Sequence, residues 1–351
     1  MKDTVKLLKD LSEASGVAGH EGPVRDLIIQ ELTPLTDEIT TDRLGNVIAL
    51  KRGTGAEPRP RIMLATHMDE IGLMVLQIEA GFLRFVPVGG FDPRVLLGQE
   101  VLVHGRQPLP GVIGSRPPHV VSAEEREKPV PLEELFIDVG LTEAQVRELV
   151  QVGDVVTLAQ PFVELKGKGR LACGKAFDNR TSVTALILTL ETLAGLRHSW
   201  DIYAVATVQE EVGLRGAITS TYGIAPDLGI AIDVTQGDMP GVSETETMKL
   251  GEGPAIGLGP NFHPAVHARL VQTAQTHEIP HQIDPAPRPA GTDAAAMQIT
   301  RAGIPTGLLS IPLRYMHTVV EVVALPDIER TARLLAHLIA ELTDKEWLTN
   351  I

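Results

Sequence analysis

The sequence predicts an α/β fold into which a small all-β domain is inserted. Aliphatic strands alternate with helices through most of the chain, and a stretch of short strands separated by Gly and Pro interrupts this alternation. Of the 351 residues, 43% are hydrophobic and only 3% are aromatic, which suits an aliphatic α/β interior. We expect the α/β domain to comprise residues 1–70 and 164–351, and the inserted domain to comprise residues 71–163.

The composition argues against several partners and compartments. The chain has 45 Asp and Glu against 31 Lys and Arg, and its net charge of −14 argues against nucleic acid or an anionic membrane as a partner. A single cysteine, Cys173, cannot form an internal disulfide framework and fits a reducing compartment. The N-terminus lacks the apolar core of a signal peptide, and no apolar stretch approaches the length of a membrane span. We therefore expect a cytoplasmic protein.

Before the insertion, the sequence predicts two surface helices followed by two strands. Regularly spaced apolar residues predict one helix on each side of the Gly-rich segment SGVAGHEGP. The strands are predicted over residues 46–50 and 61–65, and the Gly and Pro residues between 53 and 60 are typical of a hairpin. The second strand runs into His67 and Asp69, which share a face of an extended chain, so a carboxylate could orient a metal-binding imidazole there. This tripeptide is common by chance and needs partners elsewhere to indicate a metal site.

Residues 71–163 consist of short apolar runs such as FLRFVPV and PGVIGS, the pattern of a small all-β module. Only residues 142–150 are typical of a helix in this part. After it, we expect a long helix from Thr181 or Ser182, with Asp178 just ahead of it, where an acid could simply cap the helix. Residues 326–342 predict a closing helix.

Polar residues also follow the later strands. The run IYAVATV leads through Gln209 to two adjacent acids, Glu210 and Glu211; DLGIAIDVT carries Asp233, and GLLSIPLRYMHT runs into His317. Neighbouring acids at a strand end can point in different directions, one toward a cation and one toward a reacting water. Taken alone, the pair could equally be solvated acids on a loop.

The carboxyl ends of parallel strands meet at one edge of an open α/β sheet, so we expect these side chains to converge. The set comprises His67, Asp178, Glu210, Glu211, Asp233 and His317. Two imidazoles with three or four carboxylates suit two ions of Zn²⁺, Co²⁺ or Mn²⁺ better than Mg²⁺ or Ca²⁺. Two such cations, about 3.5–4 Å apart, can share a water, lower its pKa and polarise a carbonyl.

Over essentially its whole length the chain resembles the M42 metallo-aminopeptidases, which include the tetrahedral aminopeptidases. The matching segments are THMDEIG at 66–72, GKAFDNR at 174–180, VQEEVGLRGA at 208–217, IDVT at 232–235, GTDA at 291–294 and RYMHT at 314–318. The resemblance implies a mixed-sheet α/β/α metallopeptidase domain that hydrolyses short peptides from their N-terminus. It also implies that the inserted barrel-like or PDZ-like domain forms dimers, from which dodecamers are built. Lys175 and Phe177 depart from the family, which more often has Arg and Leu there.

The resemblance also assigns roles to the converging residues. It implies that His67, Asp178 and Asp233 bind one divalent ion, Zn²⁺ or Co²⁺ before Mn²⁺. Asp178 would bridge to a second ion held by Glu211 and His317. Glu210 would be the general base, and Asp69 would orient His67.

Other functions remain open at this level. A related two-metal amidohydrolase, such as a deacylase or carboxypeptidase of the M20 kind, uses a similar ligand set, but its extra domain follows the third ligand, whereas here the long insertion precedes Asp178. A glycoside hydrolase with paired carboxylates would leave His67 and His317 unexplained, and a non-enzymatic assembly protein would have no use for Glu210. The pair His263 and His267 has the spacing of a zinc-binding helix, but Pro264 replaces the Glu that such a helix needs.

Overall fold

The structure, a computed structural model, describes residues 2–288 and 291–349. The helices are α1 Thr4–Glu13, α2 Gly22–Leu32, α3 Ala123–Arg126, α4 Glu143–Leu149, α5 Phe177–Leu193, α6 Arg215–Ile224, α7 Pro264–Thr276, α8 Asp293–Gln298 and α9 Leu325–Glu341. The first strands are β1 Glu38–Thr41, β2 Val47–Lys51, β3 Arg61–His67, β4 Gly72–Glu79, β5 Phe82–Val88, β6 Glu100–His104, β7 Pro108–Gly114, β8 Phe136–Asp138 and β9 Val155–Leu158. The later strands are β10 Val163–Glu164, β11 Leu171–Gly174, β12 Asp201–Thr207, β13 Leu228–Gln236, β14 Ala255–Leu258, β15 Gln282–Pro285, β16 Thr306–Arg314 and β17 Glu321–Ala324.

The predicted α/β fold is confirmed, and its sheet is mixed. The strand order is β1-β2-β12-β3-β13-β16-β17-β11-β10, and β14 joins the sheet beside β16 with β15 on its outer side. At the centre, β12, β3, β13 and β16 run parallel, whereas β1, β2, β10, β11 and β17 form antiparallel pairs. The central parallel strands therefore deliver their carboxyl ends to one edge, as the sequence led us to expect.

Helices cover both faces of this sheet. On one face, α5 packs against α1, α9 and strands β3 and β13, and most of its residues are buried because it lies between the sheet and other helices. On the other face, α6 and α8 pack against each other and against β3, β12 and β13. The alternation of side chains along β3 follows from this layering: Leu64 belongs to the core beneath α5, and Ala65 to the core beneath α8.

One predicted connection is wrong. Residues 53–60 do not form a hairpin, because β12 lies between β2 and β3, antiparallel to the first and parallel to the second. The segment instead packs along the start of β12, where the N–H of Gly53 donates to Asp201 Oδ1 at 2.8 Å. A Cβ on Gly53 would lie 2.3 Å from the carbonyl oxygen of Ser199. The Gly there is thus required by close packing rather than by a tight turn.

The inserted all-β module is a closed antiparallel barrel. Its strands follow one another around the barrel in the order β4-β5-β8-β7-β6-β9, and β9 pairs back with β4. The barrel has its own core, with Leu73, Val103 and Ile137 fully or almost fully buried. The predicted helix is present as α4, capped by Thr142, but it is not the only one in this part, because the single turn α3 precedes it. The exact boundaries at 71 and 163 stay a prediction.

Two contacts bring the barrel against the edge of the sheet where the strands end. The barrel begins at Gly72, only a few residues after β3, where a Cβ would lie 2.4 Å from Val17 Cγ2 of the α/β domain. The segment after β5 then returns to the same edge, where a Cβ on Gly90 would lie 3.1 Å from His317 Nδ1. The cleft at the sheet edge is therefore partly walled by the barrel.

Within the described residues, no helix is both long and apolar enough to cross a membrane.

Candidate metal centre and active site

The strand ends converge as the sequence predicts, with one difference in detail. His67 is the last residue of β3 and lies opposite Thr207, the last residue of β12. Asp233 lies inside β13 rather than at its end, because β13 pairs with β3 only as far as Ala231 and continues along β16. Beyond Ala231, β13 no longer pairs with β3, the carbonyl of Ile232 accepts from Asn179 Nδ2 at 3.1 Å, and the Asp233 side chain lies 3.8 Å from His67 Nε2.

His67 lies at the centre of a group of carboxylates. Its ring is 2% exposed, and its Nε2 lies 3.1 Å from Asp178 Oδ1, 3.8 Å from Asp233 Oδ1 and 4.0 Å from Glu210 Oε2. These three acids come from α5, from β13 and from the turn after β12. The fold therefore gathers around one imidazole the acids that the sequence separates by long stretches.

His317 faces the opposite side of Asp178. It lies in the turn between β16 and β17, and its Nε2 is 3.4 Å from Asp178 Oδ2 and 3.5 Å from Glu211 Oε2. Asp178 thus presents one carboxylate oxygen to each of the two histidines. Its alternative role as a helix cap is not what the structure shows, because its carboxylate points to the imidazoles and the start of α5 has no side-chain cap.

Asp69 holds the turn that carries the two adjacent glutamates. Its carboxylate is fully buried, and it accepts hydrogen bonds from the N–H of Glu210 at 3.0 Å and of Glu211 at 3.1 Å. His67 Nδ1 lies 3.2 Å from the carbonyl oxygen of Asp69 and 3.5 Å from its Oδ1. Asp69 therefore contacts the imidazole, as the resemblance implies, and also fixes the backbone of both glutamates.

The backbone conformation explains why Glu210 and Glu211 point to different neighbours. Gln209 adopts the left-handed region with φ +56°, which turns the chain sharply away from β12. Its N–H donates to Glu21 Oε1 at 3.2 Å, and the N–H of Val208 donates to Asn46 Oδ1 at 3.0 Å. The amides of Val208 and Gln209 have no acceptor in a strand or helix, so side chains from distant segments accept their hydrogen bonds.

The site is largely buried and rich in carboxyl groups. Burial raises the pKa of Glu210 to about 10, and burial together with the charge of Asp178 raises the pKa of Glu211 to about 7. Burial opposes ionisation of Asp178 as well, but hydrogen bonds from His317 and His67 outweigh it and lower its pKa. The same hydrogen bond to Asp178 is the main reason why the pKa of His317 rises to about 9. The carboxylates thus lack sufficient positive charge to balance them.

This donor set fits divalent cations. In the described part of the chain, no Lys or Arg forms an ion pair with the four acids around the histidines, although buried carboxylates need a counter-charge. Two groups have ligand atoms within 4.8 Å of one another: His67 with Asp178 and Glu211, and His67 with Glu210 and Asp233. These groups differ from the sets implied by the resemblance, since Glu210 stands where a ligand could and His317 is included in neither group.

Two further buried acids border the site. Glu321 was not singled out from the sequence; it is 2% exposed and accepts hydrogen bonds from the N–H groups of Asp178 and His317. The sequence feature that could have indicated it is its position four residues after His317, as the one acid at the start of the otherwise apolar run EVVA of β17. Asp293, in the segment GTDA, accepts a hydrogen bond from Thr207 Oγ1 at 2.6 Å, and burial raises its pKa to about 6.

The described histidines other than His67 and His317 lie outside this centre, as expected for the pair His263 and His267. His263 precedes α7, and His267 Nδ1 donates to the carbonyl oxygen of Gly257 at 2.9 Å, so the two do not form a zinc-binding helix. His20 and His119 are exposed, and His104 Nε2 is hydrogen-bonded to Thr157 Oγ1 at 2.8 Å. Among the described histidines, only His67 takes part in a group whose ligand atoms all lie within 4.8 Å of one another.

The mixed α/β domain carries an inserted barrel and a buried centre of carboxylates and imidazoles at its sheet edge, and comparisons with known proteins identify the family. A family model described as M42 glutamyl aminopeptidase matches residues 45–334. The lysyl aminopeptidase of Pyrococcus furiosus is 38% identical over 348 residues, which cover 97% of this chain and 98% of that protein. The chain therefore belongs to the M42 aminopeptidases, hydrolases that act on peptide bonds.

Solved structures agree with this assignment. An aminopeptidase from the archaeon Desulfurococcus kamchatkensis matches with a TM-score of 0.90 and 40% identity, and the match covers 99% of this chain and 96% of that one. A TET1 peptidase from Pyrococcus horikoshii, described as assembling into a tetrahedron or a large octahedral shell, matches with a TM-score of 0.85 and 33% identity over 97% and 100% of the two chains. The fold predicted from the sequence is thus that of known aminopeptidases.

Proposed function

We propose that this protein is a two-metal aminopeptidase that removes residues from the N-terminus of short peptides, with Glu210 as general base. The observation that carries the proposal is the position of Asp178 between two imidazoles: its Oδ1 lies 3.1 Å from His67 Nε2 and its Oδ2 lies 3.4 Å from His317 Nε2. A carboxylate that offers one oxygen to each side is suited to bridge two cations.

His67 and Asp233 would hold one ion with Asp178, and Glu211 and His317 would hold the other with Asp178. When bound, the ions supply the Lewis acidity that activates water and polarises the scissile carbonyl; Zn²⁺ or Co²⁺ suits imidazole and carboxylate ligands best, with Mn²⁺ as a third candidate. The short distances from His67 to Asp178 and Asp233, and from His317 to Asp178 and Glu211, support these assignments.

Glu210 is assigned to proton transfer rather than to ligation. Of the acids around His67 Nε2 it lies farthest away, at 4.0 Å against 3.1 Å for Asp178 and 3.8 Å for Asp233. A general base must reach the attacking water without being consumed as a ligand. Once the charge of the bound ions lowers its pKa, Glu210 would take the proton from that water and return it to the leaving amine.

An excess of acids also supports a preference for free N-termini. A protonated α-amine next to the scissile carbonyl can donate to a carboxylate at the site, which would otherwise stay buried without a partner. A blocked N-terminus loses that contact, and an unpaired buried acid costs about 1–3 kcal/mol or more. We therefore expect the enzyme to act one residue at a time from the N-terminus.

Chelation tests the metal dependence. Exhaustive treatment with a chelator should abolish hydrolysis of amino-acid anilides, and added Zn²⁺, Co²⁺ or Mn²⁺ should restore it. Full activity at a metal content near zero would remove the two-metal assignment and favour a glycoside hydrolase with paired carboxylates. Hydrolysis of N-acylated amino acids but not of free peptides would favour an M20-like amidohydrolase instead.

We also propose that the protein self-associates through the inserted barrel and builds a dodecamer from dimers. Apolar side chains on the barrel and the strand that follows it support this, because Leu76, Val112 and Val163 are between 44% and 53% exposed. The similar peptidase from Pyrococcus horikoshii is described as forming closed shells. Light scattering should give a particle several times heavier than the 37.8 kDa chain; a monomer at micromolar concentration would contradict self-association.

A further inference from the structure

Glu321 is a buried carboxylate to which the mechanism above gives no role. It is the first residue of β17, pairs with Gly174 of β11, and is 2% exposed. Its Oε1 accepts a hydrogen bond from the N–H of His317 at 2.9 Å, and its Oε2 accepts one from the N–H of Asp178 at 3.1 Å. One side chain thus joins the backbones of two residues that are distant in the chain.

The local backbone explains why these two amides need such a partner. His317 has φ +61° in the turn between β16 and β17, so its N–H has no partner in a strand ladder. Asp178 has non-helical dihedral angles, φ −77° and ψ 101°, in the first turn of α5, where a helix offers its own N–H groups no acceptor. Without Glu321, the buried amide of Asp178 and the partly buried amide of His317 would both lose their acceptor.

The arrangement repeats on the other side of the site. Asp69 accepts from the N–H groups of Glu210 and Glu211 with its two oxygens, in the way that Glu321 accepts from those of Asp178 and His317. Asp69 fixes neighbours in sequence, whereas Glu321 fixes two separate segments relative to each other. The two segments that Glu321 joins are those whose side chains approach each other at 3.4 Å, between His317 Nε2 and Asp178 Oδ2.

We propose that Glu321 is a positioning residue that sets the relative position of Asp178 and His317 and thereby the affinity of the ion that these two would share with Glu211. This inference rests on the proposed two-metal function. Supporting groups behind metal ligands typically change metal affinity or activity by about 10–100-fold when they are mutated. The pairing of β17 with β11 holds the Glu321 backbone in place, so the carboxylate is a fixed reference for both segments.

The test is Glu321→Gln, which keeps the shape of the side chain but turns one of its two acceptors into a donor facing an N–H. Chelator-stripped protein is titrated with Co²⁺ by calorimetry, and kcat is measured as a function of Co²⁺ concentration. The ion held by Asp178, Glu211 and His317 should bind about 10–100-fold more weakly. The ion held by His67, Asp233 and Asp178 should lose less affinity, because only the shared Asp178 is displaced there, and excess Co²⁺ should recover much of kcat.

Asp327 provides a matched control. It is also fully buried and accepts hydrogen bonds from two backbone N–H groups, those of Gly251 at 2.7 Å and Gly253 at 2.8 Å, but it lies in α9 away from the metal centre. Asp327→Asn should lower Tm without changing the affinity for either ion. If Glu321→Gln and Asp327→Asn lose Co²⁺ affinity equally, the effect of Glu321 comes from general stability, and the positioning role is overturned.

Two further variants keep the outcomes separable. Glu321→Asp retains the charge but withdraws its oxygens by one methylene, so it should show an intermediate loss of affinity, and it carries the test if the Gln variant does not fold. If neither Glu321 variant folds while Asp327→Asn does, Glu321 serves folding rather than the site, and the proposal fails. His317→Ala should lose one ion outright, and if it keeps both ions, the two-metal function itself fails. If His317→Ala loses an ion but the Glu321 variants bind Co²⁺ as the wild type does, only the positioning role is refuted.

Discussion

Replacing Asp69 by Asn tests how far catalysis depends on the turn that carries Glu210. The Asp69 carboxylate accepts from two backbone N–H groups at 3.0 and 3.1 Å in a fully buried position. An Asn side chain has the same shape but only one acceptor oxygen, so its NH₂ group must face either the N–H of Glu210 or that of Glu211. One charge-assisted hydrogen bond is lost and one amide is left without a partner.

The size of the effect follows from these contacts. A hydrogen bond to a charged group contributes about 1.5–3 kcal/mol. Because the lost contact supports the turn that positions Glu210, we expect the loss to appear in the transition state, where each 1.4 kcal/mol corresponds to about a tenfold change in rate. We therefore predict that kcat/KM falls by roughly 10- to 100-fold.

The assay combines steady-state kinetics on an amino-acid anilide, metal content and thermal unfolding. Asp327→Asn is again the control, because it removes a comparable buried acceptor away from the site and should lower Tm while leaving kcat/KM near the wild-type value. Wild-type kcat/KM in Asp69→Asn at an unchanged metal content would refute the reasoning. An equal loss of activity in both variants would show that stability, not the turn, is responsible.

Three further predictions concern packing and substrate. Gly216→Ala should destabilise the protein by about 1–3 kcal/mol in urea unfolding at fixed subunit concentration, because its Cβ would lie 2.3 Å from Asn46 Oδ1. The control Gly223→Ala lies in the same helix, where its Cβ meets nothing within 4 Å, and should stabilise the protein by about 0.5–1 kcal/mol; the reverse order of stabilities would contradict the packing at Gly216. Leu186→Ala, in the fully buried centre of α5, should cost about 2–5 kcal/mol in the same measurement, and a cost below about 1 kcal/mol would be inconsistent with its burial. In a mass-spectrometric time course, a peptide with a free N-terminus should be shortened stepwise and its acetylated copy should react at least about tenfold more slowly, and equal rates would exclude recognition of the free amine.

Much of the site could be predicted because short local sequence patterns indicate its ligand and acid residues. An aliphatic strand that ends in His or acids is visible in the sequence, and parallel strands bring such ends together whatever the intervening chain does. The convergence of His67, Asp178 and Glu210 followed from this rule. The short apolar runs separated by Gly and Pro after Ile71 indicated the inserted all-β module, whereas the mixed sheet and the barrel were implied by the family resemblance.

What could not be predicted depends on contacts between distant segments. The Gly and Pro residues between 53 and 60 have the local signature of a hairpin, but β12, far along the chain, pairs with both neighbouring strands and excludes it. Glu321 appears in the sequence as an ordinary acid at the edge of a strand, since only the fold brings the N–H groups of Asp178 and His317 to its two oxygens. Local patterns indicate which groups carry chemistry, and tertiary packing decides which groups hold them.

The most direct test of the two-metal account compares the two adjacent glutamates. Metal content per subunit and kcat are measured for Glu210→Gln and Glu211→Gln purified under the same conditions. Glu210→Gln should keep both ions and lose about 10²–10⁴-fold in kcat, as expected for a general base, whereas Glu211→Gln should lose or weaken one ion. If Glu210→Gln loses metal while Glu211→Gln keeps both ions, the roles of base and ligand are reversed and the account is wrong at its centre.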